Sequence, residues 1–274
     1  MATMDEVARH EAISRSLERV GRASVADLAR EFGVSTVTIR KDLSELERRG
    51  LLTRVHGGAT RTALKDEGSF AYRLQDEAAQ KQDIARRAAR LVQSGSTVAL
   101  DSSSTAHFLA HELLELRDLV VVTYSIPTAA LFMDKSSAAI YLIGGLVRRS
   151  SRATAGGTGR SGFKGRIDVG FFGAHSASPD TGLGEMSAEE LESKQALAKL
   201  CRLKYALVDS SKFSATSHLH WWPEPRLDGL VTDQALAPES LDRWRDRVAR
   251  IDDGAKRTGR PRAPKGGGAT VGTR

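Results

Sequence analysis

The sequence predicts an α/β protein in two parts. A small α+β unit of three helices and a hairpin comes first, and a larger unit with a mostly parallel sheet covered by helices follows. Three observations predict this. The first 50 residues hold three helical patterns punctuated by glycine. From residue 97 onward, six short apolar runs, each closed by a polar residue or glycine, alternate with helical stretches. The length, 274 residues, suits about two domains.

Apolar residues make up 40% and charged residues 27%, enough for a packed core and inconsistent with wholesale disorder. The single cysteine, Cys201, excludes an intrachain disulfide and a four-cysteine zinc site. No apolar run approaches the roughly 18 residues of a membrane span. Met1 to Glu11 already carries Asp5, Glu6 and Glu11, unlike a secretory signal. A soluble, cytoplasmic protein with no membrane partner is expected. The net charge of +7 invites a nucleic-acid reading, but six of the positive charges sit on residues 255–274, which hold no acid. The case for nucleic acid must therefore come from pattern.

Residues 9–20 read as a helix, with Ile13, Leu17 and Val20 on one face and Gly21 ending it. Ser24, three positions before Asp27 and just ahead of Val25, Leu28 and Phe32, marks a second helix start. Gly33 breaks that helix. Ser35 caps a third, which runs to about Arg49 with Gly50 as its stop. Two short helices joined by a tight turn form a helix-turn-helix. On the third helix Ile39, Leu43 and Leu46 point inward, while Val37, Lys41, Ser44 and Arg48 point outward with Thr38 and Arg40 on the flanks. Leu51 to Ala59, with Gly57-Gly58, reads as a small hairpin, or wing. A plain three-helix bundle would show a solvated basic face; three helices followed by a wing favour a major-groove reader. Val37, Arg40 and Lys41 are the candidates for base edges. Ser35, Thr36, Thr38, Arg54 and His56 are the candidates for phosphates. The stretches Val25–Gly50 and Arg54–Ala59, in particular Val34–Leu43 and His56-Gly57-Gly58, resemble the winged helix-turn-helix DNA-binding domain of DeoR-type bacterial transcriptional regulators.

Residues 61–80 are polar and read as a linker entering a helix over Lys81–Val92. The apolar runs that follow are Thr97–Leu100, Leu119–Val122, Ile140–Ile143, Val169–Phe172, Tyr205–Val208 and Leu227–Val231. Helical segments lie near 105–116, 126–133, 187–202 and 238–250. A parallel sheet of this kind binds ligands outside the carboxyl ends of its strands. Asp101-Ser102-Ser103-Ser104-Thr105 suits an anion at a helix start, or equally an ordinary N-cap cluster. Asp209-Ser-Ser-Lys212 offers a carboxylate for sugar hydroxyls and a lysine for phosphate, or a surface salt bridge. Gly144-Gly145 reads as a strand-end turn, and Gly156-Gly-Thr-Gly159 as a flexible loop without Walker spacing. Cys201 reads as a buried small hydrophobe in a helical context, and His218-Leu-His220-Trp-Trp222 as a partly packed loop. His107 and His111 read as a solvated or capping face. No metal or cofactor is expected. Residues 253–274 read as a disordered basic tail that adds nonspecific DNA affinity.

The resemblance extends over residues 5–235 through Phe70, Arg73, Lys81, Asp101–Thr105, Thr123–Ser125, Gly144-Gly145, Asp168, Gly182, Lys194 and Asp209–Lys212. It implies a sensor domain whose fold is related to ribose-phosphate isomerases and CoA transferases. It also implies a phosphorylated sugar effector held by Asp101, Ser102, Ser103, Ser104, Thr105, Thr123, Ser125, Gly144, Gly145, Lys194, Asp209 and Lys212. Ser103 stands where the family usually has glycine, and Tyr124 where it usually has asparagine. The expected division is a DNA-binding domain at 5–60, a connector at 61–80, an effector-sensing domain at 81–252 and the tail. The expected function is that of a homo-oligomeric repressor of a carbohydrate operon, binding double-stranded operator DNA until the phosphorylated sugar releases it, and not an enzyme. Two alternatives compete. One is a sugar-phosphate isomerase-like enzyme using Asp101, Asp209 and Lys212, although no closely spaced carboxylate pair with a lysine is apparent along the sequence. The other, suggested by Ser103 and Tyr124, is a DNA-binding regulator without an effector response.

Overall fold

The computed structural model describes residues 5–20, 22–48, 52–55, 57–60, 69–156, 163–223 and 226–254. In the N-terminal unit α1 (Glu6–Val20), α2 (Val25–Phe32) and α3 (Thr36–Arg48) enclose a small core of Ile13, Leu17, Leu28, Ile39, Leu43 and Leu46. Ser24 caps α2 by accepting from the Asp27 N–H, and Gly33 ends it in the left-handed region at φ 64°. The expected hairpin forms from β2 (Thr53–Val55) and β3 (Gly58–Thr60), and β1 (Arg22–Ser24) joins it as a third antiparallel strand in the order β1-β3-β2. The added strand β1 is too short to show a periodicity. It lies so close to β3 that a Cβ on Gly58 would run into the Ala23 carbonyl, which accounts for glycine there.

The C-terminal unit is built on seven strands, all parallel: β4 (Thr97–Leu100), β5 (Val120–Thr123), β6 (Ala139–Leu142), β9 (Ile167–Phe172), β12 (Cys201–Leu207), β14 (Gly229–Val231) and β15 (Arg250–Asp252). Their order is β15-β14-β12-β9-β4-β5-β6. Alternate residues feed two cores, one on each face. Val98, Val121, Phe171, Tyr205 and Val231 pack with Ile84, Ala88, Leu109 and Phe132 of α5 (Ala78–Ala89), α6 (Ser104–Glu112) and α7 (Ile126–Lys135). Ala99, Val122, Phe172, Ala206 and Leu230 pack on the other face with Leu197 of α8 (Ala188–Lys199) and Trp244 of α9 (Pro238–Arg245).

Several expectations are corrected. The connector is not all linker: Ser69 caps a helix α4 (Phe70–Gln75), and the buried Phe70 ties it to the sensor by donating its N–H to the Ser150 carbonyl, 2.9 Å. The helix expected over 238–250 stops at Arg245, and its last expected residue, Arg250, opens strand β15. Arg87 of α5 fastens that edge strand, donating to the Asp252 carboxylate (2.7 Å), to its carbonyl (2.8 Å) and to the Thr232 carbonyl. Cys201 opens β12 rather than sitting in a helix; it is buried, and burial pushes its thiol up to about 12. Two small antiparallel additions, β7-β8 (Leu146–Arg148, Ala153–Ala155) and β10-β11-β13 (Ser176–Ser178, Gly182–Glu185, Leu219–Trp221), were not expected, and the latter absorbs the His-Trp stretch. Residues 157–162 of the glycine loop and the tail from 255 lie outside the described residues.

Candidate nucleic-acid interface and ligand site

Helix α3 has one buried face, Ile39, Asp42, Leu43 and Leu46, and an exposed one bearing Thr36, Val37, Arg40, Lys41 and Ser44. Ser35 caps it, accepting from the Thr38 N–H at 3.0 Å and sharing a hydrogen bond with the Thr38 hydroxyl at 2.9 Å. Val37 is 71% exposed, out of the core and able to meet a thymine methyl. The wing is registered on this helix. Arg54 donates from its backbone to Glu47 and from its guanidinium to the Ser44 hydroxyl, both at 2.9 Å, which sets it beside the exposed face. His56 lies outside the described residues.

A charged cluster missed in the sequence aims α3. Arg9 donates to both oxygens of buried Asp42, at 2.6 and 3.1 Å, and His10 bonds the same carboxylate at 3.1 Å. Burial alone would raise the Asp42 carboxyl, but the hydrogen bonds and charges of Arg9 and His10 hold it below the usual aspartate range. Breaking such a buried pair is costly, so α1 and α3 are held at one fixed angle.

In the C-terminal unit the chain runs outward from β4 to β6, then returns to lay β9 on the other side of β4. The order therefore reverses between β4 and β9, which puts the ligand crevice beyond Leu100 and Phe172. Asp101 stands there, fully buried, accepting from the Ser103 N–H (2.9 Å), the Ser103 hydroxyl (2.5 Å) and the Gly173 N–H (2.8 Å). Lys194 reaches in from α8 to Asp101 (3.3 Å), the Gly173 carbonyl (2.8 Å) and Glu185. Ser102 donates to Glu190 at 2.7 Å, and Arg148 of β7 meets the other oxygen of that carboxylate at 2.9 Å. Burial would raise the Glu190 carboxyl; Lys194, Arg73, the Ser102 hydroxyl and Arg148 together bring it below the usual glutamate range. Tyr124 is buried beside this cluster, its phenol pushed well up by burial and by Asp101, Glu190 and Glu185.

A lysine between two carboxylates is therefore present, contrary to the reading of the sequence. It assembles from three elements, β4, β11 and α8, so no local spacing announces it. Glu190 and Lys194 had one visible signal, a four-residue spacing on one helix face. Glu185 and Arg148 had none.

The other candidates fall around this point. Ser103 caps α6 and Ser125 caps α7, so both hydroxyls serve helix starts; Thr123 accepts from the Ser125 N–H. Ser104 and Thr105 are buried in the first turn of α6. Gly144 and Gly145 are exposed past the end of β6. Asp209 and Lys212 form a second cluster. Asp209 accepts from the Ser211 N–H and hydroxyl at the start of a 3-10 turn, and Lys212 pairs with Asp76 at 3.4 Å. Lys81, buried and lowered chiefly by that burial, donates to the carbonyls of Arg73 and Asp76 beneath them. His107 is not a solvated residue: its ring packs edge-on against Phe70 and His111, with centroids 5.3 and 5.1 Å away, and its Nδ1 lies 3.2 Å from the Thr128 hydroxyl. Burial, then His111, pushes it down to about 4. Among the described residues no group of three or more His, Cys, Asp or Glu is placed to hold a metal ion, and no helix is long and apolar enough to cross a membrane.

Residues 9–63 match the DeoR-like helix-turn-helix domain, and residues 76–234 match the DeoR C terminal sensor domain. An HTH-type transcriptional regulator, GolR, of Listeria innocua is 33% identical over 87% of this chain and 94% of its own length. The glycerol-3-phosphate regulon repressor of Escherichia coli is 30% identical over 84% and 92%. Among solved structures, ribose 5-phosphate isomerase A of Methanocaldococcus jannaschii overlays 48% of this chain and 53% of its own at 20% identity, with a TM-score of 0.37.

Proposed function

The chain belongs to the DeoR family of helix-turn-helix transcriptional regulators, and on that premise we propose that it represses a carbohydrate operon until a phosphorylated sugar releases it from operator DNA. The observation that carries this reading is the division of α3 into a buried face locked by Arg9–Asp42 and an exposed face of Thr36, Val37, Arg40 and Lys41. In our reading Val37, Arg40 and Lys41 meet base edges, and Ser35, Thr36, Thr38, Arg54 and His56 meet phosphates. The effector is assigned to the crevice at the β4–β9 reversal and to the Asp209–Lys212 corner. The relatives named for glycerol-3-phosphate and aga operons support a sugar-derived ligand. Self-association is supported by the open edge strand β6, which exposes Tyr141 and Leu142 next to Leu146 and Val147 of β7. Paired half-sites on DNA call for such symmetry.

Lys194 between Asp101 and Glu185 is the observation that favours an isomerase-like enzyme. We read the trio as structural, because each side chain is buried and the ammonium is already bonded to two carboxylates and a carbonyl. The test is to recover the genomic fragments bound by the full chain, then add a panel of phosphorylated sugars. Release of one fragment class by one sugar phosphate, with no turnover of ribose 5-phosphate, is the expected result. Turnover would replace the regulator reading with the enzyme.

A further inference from the structure

The end of β7 and the turn that joins it to β8 carry three arginines that point to different tasks. Arg148 is turned inward onto Glu190. Arg149 and Arg152 are exposed and make no ion pair among the described residues. They border a cavity of about 360 Å³ whose other polar lining is Ser69, Tyr72 and Gln75 on α4 and Ser150 on the turn. Among the described residues no acidic side chain lines it. Arg152 is held at φ 49°, in the left-handed region that a side chain disfavours, and its carbonyl accepts from the Ile126 N–H at 3.0 Å. The backbone bond from Phe70 to Ser150 closes the base of the cleft.

We propose that this cleft between α4 and the 149–152 turn binds a phosphate monoester through Arg149 and Arg152, and is the phosphoryl subsite of the effector. The chemistry fits: two guanidiniums offer forked donors, hydroxyl and amide groups stand beside them, and no carboxylate among the described lining residues opposes a dianion. The size suits a phosphorylated monosaccharide. The hydroxyls of Ser103 and Ser125 cap their own helices, and Lys212 is paired with Asp76. A phosphate here would draw α4 and the turn together. Arg148, the β7 residue next to the turn, holds Glu190, so the movement reaches the buried cluster at the β4–β9 reversal. The inference rests on the reading that the effector carries phosphate.

The test titrates inorganic phosphate into the full chain, following heat and thermal stability, and compares Arg149→Gln/Arg152→Gln with Arg243→Gln, an exposed arginine elsewhere. Loss of two charge-assisted contacts should weaken phosphate binding at least about tenfold in the double variant and leave Arg243→Gln like the wild type. Both substituted side chains are exposed, and circular dichroism checks that the fold is kept. If the double variant binds phosphate like the wild type while Lys212→Ala does not, the anion belongs to the carboxyl-end loops and the proposal falls with the regulator reading intact. If the double variant instead loses affinity for a random-sequence duplex and keeps its phosphate response, the arginines serve the DNA backbone and the proposal falls. Absence of any phosphate binding by the wild type overturns it as well. The regulator reading fails separately, by failure to retain genomic DNA.

Discussion

In the N-terminal unit the candidate contact residues project from a helix whose opposite face is buried, so the reading surface is formed before DNA arrives. In the C-terminal unit most candidates are themselves buried and bonded to one another. Arg40 and Lys41 face solvent, whereas Asp101, Lys194 and Asp209 are all nearly inaccessible. The lesson is that a surface for a rigid polymer is best preformed, while a switch needs internal bonds that a ligand can compete for. Both units nevertheless use one device, a buried cation on a carboxylate: Arg9 on Asp42 in the first, Lys194 on Asp101 and Glu185 in the second.

The largest expected effect tests that shared device. Lys194→Ala leaves two carboxylates buried without their cation and should destabilise the sensor by about 3–5 kcal/mol in chemical denaturation. Asp42→Ala should cost a similar amount in the first unit and disorient α3. A loss of under about 1 kcal/mol in either case would show that water replaces the missing partner.

Next in size is an acid effect in the sensor. His107 is held neutral, its value falling from 6.5 to about 4 in the fold. Between those values the unfolded chain binds a proton that the folded chain does not, so stability falls as pH is lowered from about 6.5 toward 4. Allowing for partial exposure, the loss is about 2–3 kcal/mol. His107→Gln should flatten the pH–stability curve over this window, and an unchanged curve would break the contrast between the two units.

A smaller effect sharpens the reader side. Arg40→Ala should cost about 1–3 kcal/mol at the cognate operator and much less on random DNA, measured by titration at fixed salt. Equal losses on both would move Arg40 to the backbone. Smallest is Ser35→Ala, which removes the cap of α3 and should lower stability by about 1 kcal/mol with unchanged DNA preference. A change of preference would assign Ser35 a direct contact.

The sequence was most legible where structure is local. The second and third helices were readable from Ser24, Gly33 and Ser35, and the inward row Ile39, Leu43, Leu46 from its period. All six apolar runs became parallel strands because strands buried on both faces are continuous apolar stretches. Strand β15 was illegible because Arg250-Ile-Asp252 follows a helical pattern without a break, and its strand state depends on pairing with β14. Long-range polar partnerships were hidden for the same reason. Arg9 with Asp42, and Lys194 with Asp101, are joined only by the fold. Asp101–Thr105 read equally as an anion loop or an N-cap cluster; the Ser103 hydroxyl caps α6 and that of Ser102 bonds Glu190, a division that composition cannot show.

The latch from Arg87 to Asp252 also dictates an order of events during synthesis. The reader's core draws only on residues 13 to 59, so all of it has been made early in synthesis. Helix α5 must wait until residue 252 has been made before Arg87 finds its partners, 165 positions later. A nascent chain thus holds every residue of its helix-turn-helix core well before its sensor sheet can gain the β15 edge.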